Sequence, residues 1–129
     1  MKLNHFLAIG AFVIGAAVVM SPAANAEGDP EAGEKVFRKC ATCHEVKQEK
    51  NKVGPHLVGI FGRQSGSVED FKYSDAMKNA NITWNEETIS EYVKNPKTYV
   101  EGNRMIFAGL KKDEEVANLI AYLKQATAQ

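Results

Sequence analysis

The pentapeptide Cys40-Ala41-Thr42-Cys43-His44 constrains this 129-residue chain more than any other stretch, and it holds both of the chain's cysteines. C-x-x-C-H is the pattern of covalent haem attachment. Its logic is local. Two thiols three positions apart on a helical turn can each add across one vinyl group of a haem, and the next residue brings its imidazole under the iron. Three rivals compete for the same residues. A thioredoxin-like redox pair opens a helix after a strand, whereas this pair closes an expected helix and no strand pattern precedes it. A structural zinc site needs four ligands; beyond the cysteines, residues 27–129 offer only His44 and His56, and adjacent Cys43 and His44 would strain a shared site. A disulfide between Cys40 and Cys43 would be small and strained.

The first 26 residues read as a removable export signal. Lys2 gives a positive start, an apolar run spans Phe6 to Met20, Ser21-Pro22 ends it, and Ala24-Asn25-Ala26 fits a small-x-small cleavage site. The run is short for a membrane span, which needs about 20 apolar residues. Cleavage after Ala26 is expected, leaving residues 27–129 as one domain in the periplasm; an uncleaved membrane anchor is the alternative. A domain of this size often needs a staple or cofactor to complete its core. The 16 basic and 16 acidic residues balance, and losing Lys2 with the signal leaves a formal charge of −1. That lacks the basic excess of a nucleic-acid-binding protein.

The spacing of residues predicts an all-α domain with short helices and long loops. Asp29-Pro30-Glu31 combines a capping carboxylate, a proline suited to the first helical position and an acid at the positive dipole end. That helix should run to about Lys39 with Gly33, Val36 and Phe37 inside. Residues 45–71 are Gly-rich and lack periodicity, a length of loop that is unusual unless functional; here it would wrap a bulky ligand. A short helix is expected over Ser74 to Asn79. Thr83-Trp84-Asn85-Glu86 reads as a capping box, opening a helix with Thr88, Ile89, Tyr92 and Val93 on one face and a stop at Asn95-Pro96. Pro96 begins a further short turn, and residues 101–111 are again irregular. From near Asp113, Val116, Leu119, Ile120 and Leu123 recur at i, i+3, i+4, i+7, an amphipathic helix.

A haem iron needs a sixth ligand or an open position, and low-spin carriers use His with Met. Met77 and Met105 are the candidates, with His56 a distant third that is expected at the surface. Met105 lies in the irregular stretch Gly102 to Gly109, where a loop can bend to present its sulfur; Met77 lies in an expected helix. Pattern alone favours Met105 and leaves Met77 open.

Taken in order, these residues resemble the class I cytochromes c, close to mitochondrial cytochrome c and to the bacterial periplasmic carriers called cytochrome c-two. The resemblance spans nearly all of residues 27–129. It rests on Gly28-Asp29 through Phe37, Cys40 to His44, Gly54-Pro55, Phe61-Gly62-Arg63, Gly66, Phe71-x-Tyr73 and Ile82-Thr83-Trp84. It continues through Asn95-Pro96-Lys97, Met105 to Gly109 and Leu119 to Leu123. It implies the class I fold around one covalent haem c, thioether links at Cys40 and Cys43, and axial ligands His44 and Met105. The Pro55 carbonyl would accept a bond from His44. Arg63, Tyr73 and Trp84 match residues that hold a buried haem propionate, Tyr92 matches a tyrosine near the methionine sulfur, and Phe107 an aromatic beside the exposed haem edge. Gly33 and Phe37 would meet Leu119 and Tyr122 where the terminal helices cross. Leu57, Ile60, Ile89, Val93, Leu110 and Leu123 would line the haem. Met77 stands where the family usually has Asn, Asn103 where Thr is common, and Arg104 where mitochondrial chains have Lys.

The function so implied is one-electron transfer by a monomeric, soluble carrier, and not enzymatic catalysis. The donor would be a quinol:cytochrome c reductase. The acceptor would be a terminal oxidase, a peroxidase, a denitrification enzyme or a photosynthetic reaction centre. Lys39, Lys52, Lys97, Arg104, Lys111 and Lys112 would ring the haem edge as a positive docking face. The alternative is a haem enzyme or gas-binding protein with an open sixth position.

Overall fold

The chemistry at Asp29-Pro30-Glu31 operates as expected. In the computed structural model, which describes residues 27–129 and so leaves the proposed signal outside, the Asp29 carboxylate accepts the Glu31 backbone N–H at 2.9 Å. Helix α1 then runs Pro30–Ala41, two residues past the expected end. Cys40 therefore sits in its last turn. The Cys40 carbonyl accepts from the backbone N–H groups of Cys43 at 3.0 Å and His44 at 2.9 Å, so the chain folds sharply back after the helix.

Four more helices follow: α2 (Asp75–Lys78), α3 (Glu86–Lys94), α4 (Pro96–Tyr99) and α5 (Asp113–Ala126). Among the described residues there is no strand, only one isolated antiparallel bridge between Gln64 and Thr83. Ser74 and Asn79, expected inside α2, are its two caps. The capping box of α3 lies two residues further on than expected. Its N-cap is Asn85, whose Oδ1 accepts from Thr88 N at 2.9 Å while Thr88 Oγ1 accepts from Asn85 N at 2.9 Å. Thr83 cannot serve because it is engaged elsewhere: its hydroxyl takes a bond from Gln64 Nε2 at 2.9 Å. The adjacent Trp84 backbone is tied to Gly62 and Arg63.

The frame is the crossing of α1 and α5. A Cβ on Gly33 would run into the Asn118 carbonyl and lie 2.7 Å from Tyr122 Cβ, so only glycine lets the two helices approach this closely. Phe37 and Tyr122 stack beside it with ring centroids 5.3 Å apart. Leu119, 1% exposed, sits beneath them, and Val116, Ile120 and Leu123 complete the buried stripe of α5. Burying each such side chain stabilises the fold by roughly 1.5–3 kcal/mol.

The Gly-rich stretch after the pentapeptide is held by scattered long-range backbone bonds. Gly54 N donates to Cys43 O at 2.8 Å, Leu57 N to Glu45 O at 2.8 Å, Gly59 N to Thr127 O at 2.8 Å and Gly62 N to Trp84 O at 2.7 Å. These place Leu57 and Phe61, both half-buried, against the core cluster that includes Ile60, Ile89, Leu110 and Leu123. Val93, Phe107 and Met77 edge the same cluster.

Candidate haem-binding site

His44 is fixed from two sides. Its Nδ1 lies 2.7 Å from the Pro55 carbonyl oxygen, so Nδ1 carries the proton and Nε2 keeps its lone pair. Gly54 presses its backbone against the ring: a Cβ there would lie 2.8 Å from Nδ1 and 2.9 Å from Nε2. Burial lowers the His44 pKa, the Pro55 bond opposes this, and the charges of Arg63 and Lys52 add to the lowering. The ring is thereby kept neutral, the form that binds metal.

Cys40 and Cys43 are half-buried and not joined to one another. Burial pushes the Cys40 thiol up to about 11, against the pull of Lys39 and with a small push from Cys43. A redox-active dithiol needs a readily formed thiolate, so this environment disfavours the thioredoxin-like rival. Among the described residues no cluster of three or more His, Cys, Asp or Glu side chains is placed to hold a metal ion.

Met105 is half-buried, with its Sδ 3.8 Å from Tyr92 Oη, the hydroxyl donating. Burial pushes the Tyr92 phenol up to about 12, so it remains a protonated donor at any ordinary pH. The Tyr92 ring lies between Trp84, 5.1 Å away by centroids, and Tyr99, 6.2 Å away. Met77 instead packs from α2 against the apolar cluster, its backbone N–H bonded to Ser74 Oγ at 3.1 Å.

The set expected to meet a buried carboxylate is assembled in one region. Arg63 donates from Nη2 to His56 O at 2.9 Å and from Nη1 to Val58 O at 3.3 Å. Those bonds use two of a guanidinium's five N–H groups. Arg63 and Tyr73 are close enough to perturb each other's ionisation, although burial dominates for both, lowering Arg63 and raising Tyr73. Tyr73 Oη accepts from Val68 N at 3.2 Å. Trp84 is buried with its backbone N–H on Arg63 O at 2.8 Å, and its indole N–H makes no hydrogen bond among the described residues.

His56 departs from its surface expectation. The residue is half-buried, and its Nδ1 is shut from solvent without a partner among the described residues, while its backbone N–H donates to Asn51 Oδ1 at 3.0 Å and its carbonyl accepts from Arg63 Nη2 at 2.9 Å. Burial and Arg63 lower its pKa, Glu49 opposing. Phe107 is half-buried, while its neighbour Ile106 is 100% exposed. The cationic set is uneven. Lys39 pairs with Glu115 at 3.3 Å, Lys52 bonds to the Ala41 carbonyl and Lys111 Nζ to Ala108 O at 3.0 Å. Lys97, Arg104 and Lys112 are exposed and make no ion pair among the described residues.

The donor set fits a covalently held haem. It offers two thiols within one turn, a neutral imidazole with a directed lone pair, a thioether sulfur with an oriented neighbour, and unused donors on Arg63 and Trp84 for a buried carboxylate. The family described as Cytochrome c matches residues 30–127. Cytochrome c2 of Blastochloris viridis is 50% identical over 123 residues, covering 95% of this chain and 94% of that protein. Cytochrome c of Chlamydomonas reinhardtii is 58% identical over 103 residues, covering 78% of this chain and 92% of that one. Cytochrome c-550 of Nitrobacter winogradskyi is 54% identical over 99 residues, covering 76% and 91% respectively.

Proposed function

Because the chain belongs to the cytochrome c family, we propose that it carries electrons, as a soluble monomer, from a quinol:cytochrome c reductase to a terminal acceptor of a respiratory or photosynthetic chain. It holds haem c covalently and is an electron-transfer protein rather than an enzyme. The haem supplies an iron that cycles by one electron between ferric and ferrous. In this reading Cys40 and Cys43 would carry the thioether links, and His44 and Met105 would ligate the iron. Pro55 orients His44. Arg63, Tyr73 and Trp84 pair the buried propionate, since a buried carboxylate must be hydrogen-bonded. Tyr92 steadies the Met105 sulfur, and Phe107 covers the haem edge. The observation that carries the reading is the 2.7 Å contact of His44 Nδ1 with Pro55 O, which commits one ring nitrogen and leaves the other free to bind iron.

With His44 and Met105 both holding the iron, little would need to move when the charge changes. Burial and the methionine sulfur both disfavour the ferric state and raise the potential. Residues 1–26 are read as the export signal, removed after Ala26, which places the carrier in the periplasm. Among the described residues no helix is long and apolar enough to cross a membrane.

Docking is assigned to the cationic face around the haem edge: Lys39, Lys52, Lys97, Arg104, Lys111 and Lys112. The acceptor is an oxidase, a peroxidase, a denitrification enzyme or a reaction centre with an acidic docking site. Lys97 carries the larger expected effect, because Lys39 is already partnered by Glu115. The second-order rate of reduction by the reductase should fall about tenfold or more as the screening length shrinks from about 30 Å at 0.01 M salt to about 8 Å at 0.15 M. Lys97→Glu should slow it further at low salt and flatten that dependence. Stopped-flow rates independent of salt, and equal for wild type and Lys97→Glu, would overturn the docking assignment.

A further inference from the structure

Asn103 spends its whole amide inside its own loop. Nδ2 donates to Pro96 O at 2.7 Å and to Val100 O at 2.8 Å, and Oδ1 accepts from the backbone N–H of Met105 at 2.8 Å. The opposite amide orientation would set an oxygen against two carbonyls and a nitrogen against an N–H, so only one orientation satisfies all three contacts.

The two carbonyls are rigid anchors. Pro96 is less than 2% exposed and Val100 is 5% exposed. They are already joined by a backbone bond from Val100 N to Pro96 O at 3.1 Å. Beyond Asn103 the chain is poorly tied. From Arg104 to Gly109 the backbone makes no backbone–backbone hydrogen bond among the described residues; the next is Leu110 N to Val93 O at 2.8 Å. The Asn103 amide thus links the buried Pro96 and Val100 to the peptide nitrogen of Met105, while Tyr92 Oη donates to the Met105 sulfur.

We infer that Asn103 is a positioning residue, which holds the Met105 sulfur against displacement and so sets how readily a competing ligand reaches the sixth position of the iron. The inference rests on the proposed ligation by Met105. A competitor binds only the fraction of molecules whose sulfur has let go, so its apparent affinity reports that fraction. Removing the amide deletes three bonds from the state in which the sulfur is held, while each carbonyl keeps only its backbone donor, Val100 N on Pro96 O and Asn103 N on Val100 O.

The test is titration of the ferric, haem-loaded protein with imidazole at neutral pH, followed by loss of the weak iron–sulfur absorption, with the far-ultraviolet helical signal recorded alongside. Asn103→Ala should bind imidazole about tenfold to a hundredfold more tightly than wild type with its helical signal retained. Asn103→Ser, whose hydroxyl can keep one carbonyl bond, should fall between. If the alanine variant does not accumulate in haem-loaded form, Asn103→Asp carries the test. It keeps an acceptor for the Met105 N–H but has no donor for the two carbonyls, and should also bind imidazole more tightly. Variants within twofold of wild type would overturn the inference, provided wild type shows the iron–sulfur band and Met105→Ala lacks it. A wild type without that band, unchanged by Met105→Ala, would overturn the ligand assignment, and the inference with it.

Discussion

Met105→Ala should convert the carrier into a ligand-binding haem protein. The reduced variant is expected to bind carbon monoxide readily at neutral pH, where wild type binds little, and its midpoint potential should fall by on the order of 0.1–0.3 V, a fraction of the about 0.8 V over which axial ligands tune haem potentials. The physical reason is the thioether. A neutral, soft sulfur favours ferrous over ferric iron, and while it occupies the sixth position no gas can enter. Met105 alone of the two candidate methionines has a hydroxyl aimed at its sulfur, Tyr92 Oη at 3.8 Å. Met77 is committed to packing against the apolar cluster from α2. Met77→Ala should therefore leave carbon monoxide binding at the wild-type level. If Met77→Ala opens the site and Met105→Ala does not, the sulfur ligand comes from α2. If neither changes binding and wild type already takes carbon monoxide, the protein is a gas-binding or catalytic haem protein.

Gly33→Val should lower stability by about 3 kcal/mol, a large share of the about 5–15 kcal/mol available to a domain. The added atoms have no room. The Cβ meets the Asn118 carbonyl, part of the α5 backbone, and Tyr122 Cβ lies 2.7 Å from it, so relief requires the two helices to move apart rather than a side chain to rotate. Separation would loosen the 5.3 Å ring contact of Phe37 with Tyr122 and the packing over Leu119. In a domain of about 100 residues this corresponds to a drop in Tm of on the order of 15 °C. Glu34→Val is the control, because Glu34 faces solvent one residue further along α1; its effect should stay within about 0.5 kcal/mol. Thermal unfolding of the haem-loaded variants checks both. A Gly33→Val protein as stable as Glu34→Val would mean that α1 and α5 do not cross at Gly33.

Helix starts were legible wherever one residue type has one local use. Asp29-Pro30 and Asn95-Pro96 begin α1 and α4 where their chemistry places them, and the i, i+3, i+4, i+7 stripe of α5 is the buried stripe observed. The capping box was misplaced because Thr83 and Asn85 are both competent caps. The choice is made by Gln64, 19 residues away, which occupies the Thr83 hydroxyl. The same limit applies to the site. The pentapeptide announces its chemistry, but that Gly54 must be glycine follows from the His44 ring lying against it, a contact closed only by the long loop. Asn103 stood out only as an amide where the family commonly has Thr, since nothing local says that it meets Pro96 and Met105 together. Nor could periodicity pair Lys39 with Glu115, 76 residues away. His56 was expected at the surface because it follows Gly54-Pro55 close to His44; it is half-buried, with its backbone carbonyl accepting from Arg63.

The account turns on a haem joined to Cys40 and Cys43 and closed on both faces by His44 and Met105. Absorption spectra of the purified protein, recorded denatured and then native in both oxidation states, test it most directly. The expected result is haem that stays with the denatured chain, sharp low-spin bands on reduction of the native protein, and a weak iron–sulfur band in its ferric form. Haem lost on denaturation would contradict the thioether links, and a covalent haem with broad high-spin bands would contradict the sulfur ligand.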